Sequence, residues 1–245
     1  MSSAQFPATP SEPSDLAAAY GATRARIAAL LLTGSAGDGQ RHATTVVPAC
    51  PDWTIADLCA HLAGVAADLV ARRNPGPDVQ AWVDGQVAER KGRSVADLLD
   101  EWATVSPAFE GLIESRPAGF AGLLYDVVAH EHDLRHAVGQ PGMRDDVAVV
   151  LAMDIGAGIL ERDLATHGLG AVSLRTADKT WIAGSGEPQL SIDVSDQLHG
   201  TWTLMRLLGS RRSEAQLLAA PWVGPARTFL PALAHMTLPP ADVDE

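Results

Sequence analysis

The sequence predicts a mainly α-helical protein: a helical bundle over residues 14–168, followed by a small α+β segment over 169–238. Three observations predict this. Apolar residues recur at three- and four-residue spacing through long segments before residue 168, as on a helix face turned toward a core. Those segments are bracketed by residues that start and stop helices. Beyond residue 168 apolar and polar residues alternate around a Gly-rich turn, which reads as a pair of short strands. The flanks read as a flexible Ser- and Pro-rich arm, 1–13, and a short tail, 239–245.

Each element has its own signals. The first helix, "SDLAAAYGATRARIAALLLTG", opens on the cap-like pair Ser14–Asp15 and stops at Gly34. The second, within "CPDWTIADLCAHLAGVAADLVARRNPGP", has Thr54 at its N-cap and Asp57 three residues on, as in a capping box, and stops at Asn74-Pro75-Gly76. The third begins at Ser94, with Pro107 expected to kink or divide it. The fourth runs through "GFAGLLYDVVAHEHDLRHAVGQPG" and closes at Gly139. The fifth, "RDDVAVVLAMDIGAGILERDLATHG", is led by acids that suit a helix N-terminus. After the strand pair, "HGTWTLMRLLGSRR" and "SEAQLLAAPWVGPARTFLPALAHM" read as short helical patterns.

Composition narrows the function classes. The 245 residues carry a formal charge of −12 without a clustered basic stripe, which argues against nucleic acid and anionic membranes as partners. Apolar runs are broken well before the length needed to span a bilayer, and the N-terminus has neither the basic nor the apolar region of a signal peptide. The two cysteines, Cys50 and Cys59, match neither a redox pair nor a zinc ribbon and read as free thiols in a reducing compartment. A cytoplasmic protein is the expectation.

The stretch "YDVVAHEHDLRHAVGQPG", residues 125–142, places three histidines and three acids on one helix. A helical wheel sets His130 and Asp126, one turn apart, at the margin of the apolar arc. His132, His136 and Arg135 fall on the far face, and Glu131 and Arg135 are spaced to pair in solvent. A carboxylate turned into a bundle needs a cation or a donor beside it. Side chains at i and i+4 can converge on one metal ion, and they can equally form a hydrogen-bonded core pair. A third ligand is sought on the second helix, where His61 lies at the edge of its own apolar arc. Asp57 either orients His61 or only caps the helix. His42, His167, His199 and His235 sit in loop-like or terminal contexts. Trp53 reads as a packing staple for the helix that bears His61. Arg135 is a candidate clamp on the helix end or loop, and Arg211 and Arg212 are candidates to meet an anion; solvated arginines are the favoured reading of all three.

Two segments resemble a known family. "VPACPDWTIADLCAHLAG" and "YDVVAHEHDLRHAVGQPG" are similar to the two signatures of the mycothiol-dependent maleylpyruvate isomerase family, whose N-terminal domain is a DinB-like four-helix bundle. "LMRLLGSRRSEAQLLAAPWVG" resembles the small C-terminal module of many members. The resemblance implies a divalent ion, typically zinc, held by His61, Asp126 and His130, with mycothiol as the thiol cosubstrate. Asp126 stands where the isomerase has a glutamate, so its arm is one methylene shorter. Three protein ligands leave zinc an open position, and a thiol bound there is deprotonated and nucleophilic at neutral pH. The implied protein is a transferase or isomerase acting on a small electrophile, as a monomer or homodimer. A hydrolase using metal-bound water and a non-catalytic metal- or ligand-binding bundle are the alternatives.

Overall fold

The computed structural model describes residues 12–32 and 42–245. Gly34 and almost all of the 1–13 arm lie outside the described residues. The chain divides into two compact units, one of Leu16–Met143 and one centred on Arg144–Asp244.

In the first unit, four long helices form the bundle: α1 (Pro13–Leu32), α2 (Ile55–Val70), α4 (Val95–Ser115) and α5 (Pro117–Ala137). A shorter helix, α3 (Val79–Glu89), packs on α2. Between α1 and α2 lies a small antiparallel hairpin, β1 (Val46–Val47) with β2 (Cys50–Thr54). The sequence reading foresaw neither this hairpin nor α3, whose apolar residues do not gather on one face. α1 starts at Pro13, where the missing N–H of proline costs nothing, so Ser14 and Asp15 fall in its first turn rather than forming its cap. α2 ends at Val70, before the Asn74-Pro75-Gly76 stop. α4 opens on the Ser94 side chain as expected and runs unbroken through Pro107. Proline removes the hydrogen bond to the carbonyl four residues back, but both Pro107 and Ala103 are exposed, so water can serve that carbonyl.

The core explains why the bundle closes. Trp102 is fully buried, and its indole N–H donates to the Tyr20 hydroxyl at 2.8 Å, joining α4 to α1. Tyr20 also packs against Phe109 with ring centroids 4.9 Å apart. α2 and α3 meet so closely at Gly64 that a Cβ there would lie 2.6 Å from that of Gln86. On α3's exit, Glu101 accepts from both Arg90 and Arg93.

In the second unit, α6 (Val147–His167) lies against a four-stranded sheet of order β4-β3-β5-β6. The strands are β3 (Val172–Arg175), β4 (Thr180–Ala183), β5 (Leu190–Asp193) and β6 (Trp222–Val223). β3 pairs antiparallel with β4 and parallel with β5, so the expected strand pair is part of a mixed sheet. The helices α7 (Gly200–Leu208), α8 (Glu214–Ala219) and α9 (Ala226–Leu233) complete the unit. The boundary corrects the expected 14–168 bundle, because α6 packs on β4, α7 and α9. The Trp181 indole donates to Asp154 at 2.7 Å, which ties β4 to α6 through a polar bond that periodicity does not reveal. Among the described residues no helix is long and apolar enough to cross a membrane.

Trp102→Ala should destabilise the bundle by about 3–5 kcal/mol, read by urea unfolding, through lost burial and an emptied cavity. Glu101 supplies a pH test. Burial alone pushes its carboxyl up, but the hydrogen bonds and charges of Arg90 and Arg93 outweigh that and hold it below its ordinary value. A depressed folded-state pKa stabilises above the unfolded value and is lost as pH falls. Thermal unfolding of Glu101→Gln should therefore show a lower midpoint than the parent at neutral pH, and the gap should close on acidification below about pH 4.

Candidate functional site

The site is built from two helices whose phases are set locally. At the end of β2, the Thr54 side chain accepts from the Asp57 backbone N–H at 3.2 Å, and Asp57 Oδ2 accepts from the Thr54 backbone N–H at 2.9 Å. This capping box starts α2 at Ile55 and places His61 two turns further on, facing inward. Asp57 is thus the capping acid. α5 contributes Asp126 and His130, one turn apart.

The three side chains converge. Asp126 Oδ2 lies 3.4 Å from His61 Nε2, and Asp126 Oδ1 lies 3.3 Å from His130 Nε2. One donor atom from each residue lies within 4.8 Å of the other two. The shorter aspartate arm therefore still reaches both imidazoles. Both histidine side chains are buried, at 7% and 4% exposure, whereas the Asp126 side chain is 29% exposed, so solvent meets the cluster on its carboxylate side. Trp53 lies across the imidazoles, its ring centroid 4.9 Å from that of His61 and 6.1 Å from that of His130. Trp53, carried on β2, thus packs on the site itself.

The electrostatics follow from these distances. Burial by itself would push the Asp126 carboxyl up, but the charge of His130 and the contacts of both imidazoles outweigh it and hold the group well below the carboxylate range. Burial would likewise push His130 down, and Asp126, Asp133 and Cys50 together raise it well above its ordinary value.

The wheel misplaced several neighbours. Glu131 and His132 are buried, not solvated, because α5 is enclosed on all sides from Val127 to Leu134. Glu131 is only 1% exposed and is paired by Arg26 of α1, whose Nη2 donates at 2.7 Å, and by Arg135, whose Nη2 donates at 2.9 Å. Arg135 is accordingly a clamp within α5. His136 is half-buried. His199 and His235 each meet a single acid, Asp145 and Asp163, both at 2.7 Å, and neither joins a three-donor group among the described residues. Arg211 donates to the Gly209 carbonyl at 2.7 Å, and Arg212 to the Arg211 carbonyl at 2.8 Å.

Two site residues escaped the sequence reading. Asp133 is fully buried, with Oδ2 2.8 Å from His130 Nδ1, and Cys50 Sγ donates to the same oxygen at 3.8 Å. Cys50, His130 and Asp133 form a second three-donor group that shares His130 with the first. The i, i+3 spacing of His130 and Asp133 was a usable signal, masked by the assignment of the polar residues after His130 to solvent.

Comparison with protein families matches residues 20–135 to the mycothiol maleylpyruvate isomerase N-terminal domain. The helical unit is similar to that domain over most of its length. The match takes in all three converging side chains, the whole of the first sequence signature and the second as far as Arg135, and it ends before the second unit. Comparison with curated proteins finds no match, and comparison with solved structures finds none. Within the matched segment, the cluster of His61, Asp126 and His130 spans α2 and α5, with Asp126 as its most exposed member.

The two cysteines should separate cleanly. Cys59 is buried on α2, and burial pushes its thiol up to about 12, whereas Cys50 is half-buried on β2. A chromogenic disulfide reagent should titrate one thiol in the native protein and the second only after unfolding, and Cys50→Ser should abolish the native reaction.

Proposed function

We propose that the protein is a divalent-metal-dependent enzyme, zinc being the first choice of ion. It would activate a low-molecular-weight thiol of the mycothiol type for transfer to, or isomerisation of, a small electrophile. The observation that carries this reading is the spacing of the donor atoms. Charge-assisted hydrogen bonds between imidazole and carboxylate draw in to about 2.7–2.9 Å. The Asp126 contacts are longer, at 3.4 and 3.3 Å. Ligands about 2.0–2.2 Å from a tetrahedral ion stand about 3.3–3.6 Å from one another. The donor set of two imidazoles and one carboxylate also fits a borderline ion such as zinc. Residues 20–135 match a domain named for a mycothiol-dependent isomerase, which supports the choice of thiol.

In this reading His61 Nε2, His130 Nε2 and the Asp126 carboxylate hold the ion. When bound, a divalent ion supplies a thiol in its thiolate form at neutral pH. The chain's own residues do the rest. Trp53 closes the face over the two imidazoles and excludes water there. The exposure of Asp126 leaves the opposite side as the direction from which a small molecule approaches. The two helices hold the three donors in register, so few side-chain rotations are lost on binding.

Elemental analysis of the purified protein beside His61→Ala and His130→Ala tests the ligand set. One equivalent of metal is expected in the parent, with loss of most of it in each variant. Retention in both variants would contradict the assignment. Mass analysis of mixtures with small electrophiles tests the chemistry: turnover should need the thiol, and turnover without it would favour activated water instead.

A further inference from the structure

The two imidazoles of the cluster are supported differently, and the difference assigns a role to a residue outside the ligand set. His61 Nδ1 is buried and has no hydrogen-bond partner among the described residues, so that ring is held by packing against Trp53. His130 is gripped at both nitrogens: Nε2 faces Asp126 at 3.3 Å, and Nδ1 lies 2.8 Å from Asp133 Oδ2. Asp133 is fully buried and only three residues from His130 on α5, so the helix itself fixes their separation. A carboxylate only accepts hydrogen bonds, so Nδ1 carries its proton toward Asp133, and Nε2 is the nitrogen left to give its lone pair to an ion held between it and Asp126.

We propose that Asp133 is the positioning residue of the site. By accepting from Nδ1 it fixes the ring orientation and tautomer of His130, and the Cys50 thiol, donating to the same oxygen, steadies the carboxylate without ligating the ion. This inference rests on the metal-binding reading above. The rival is the second three-donor group, in which Cys50, Asp133 and His130 Nδ1 would hold the ion themselves. The distances favour the positioning role, since 2.8 Å is a strong hydrogen bond and too short for the edge of a metal's coordination shell, which is about 3.3–3.6 Å. Outer carboxylates of this kind typically change metal affinity by about 10–100-fold when removed.

The test titrates the full chain with zinc against a chromophoric chelator and repeats it with cobalt(II), read by visible absorption. Asp133→Asn should weaken zinc binding about 10–100-fold at unchanged helicity, whereas Cys50→Ser should stay within about threefold of the parent, since it keeps the bond from Nδ1 to Asp133. The cobalt form should lack a thiolate charge-transfer band. In the zinc-loaded parent, nitrogen NMR of the histidines should show Nδ1 of His130 protonated and Nε2 coordinated, a readout that survives if Asp133→Asn fails to fold. A thiolate band, coordination through Nδ1, or unchanged affinity in a folded Asp133→Asn would overturn the positioning role. A parent that binds neither ion would instead remove the metal-binding reading on which it rests.

Discussion

The structure turns on one carboxylate held between two buried imidazoles. Asp126 lies within 3.4 Å of both His61 and His130, which come from different helices, so the helical unit must hold α2 and α5 in a fixed register. That demand accounts for features far from the cluster. The capping box at Thr54 sets the phase of α2, and the hairpin ahead of it brings Trp53 over the rings and Cys50 to Asp133. The aromatic contacts of Tyr20 with Trp102 and Phe109 lock α1 to α4 and keep the bundle closed around the polar centre.

Burying so many charges on α5 is tolerable only because each has a partner of fixed geometry. Glu131 is neutralised by Arg26, 105 residues away, and by Arg135 on its own helix. Asp133 is satisfied by His130 and Cys50. An unpaired carboxylate in such a place would cost several kcal/mol, so these pairs are conditions for the helix to occupy the centre of its unit at all. They also divide the labour along α5. Asp126 and His130 meet His61, Asp133 stands behind His130, and Glu131 fastens the helix to α1.

The parts of this arrangement that depend on neighbours in sequence were legible without coordinates. The capping box needs only Thr54 and Asp57, and the pairing of Asp126 with His130 needs only a four-residue spacing. What was not legible depends on distant chain. Glu131 and His132 looked solvated because a wheel assigns one buried arc to a helix, whereas α5 is enclosed all round, and the Arg26 that compensates Glu131 lies on α1. α6 carries the same periodic signal as the bundle helices, yet it packs on β4, α7 and α9, a choice made by tertiary partners rather than by spacing. The hairpin was hidden because its strands are short, with only two residues in β1.

The central claim is a place in space, and anomalous X-ray scattering at the zinc edge from crystals grown with zinc measures it directly. A single strong peak bonded to His61 Nε2, His130 Nε2 and the Asp126 carboxylate is the expected result. A peak beside Cys50 and Asp133, or none within reach of the two imidazoles, would contradict the account.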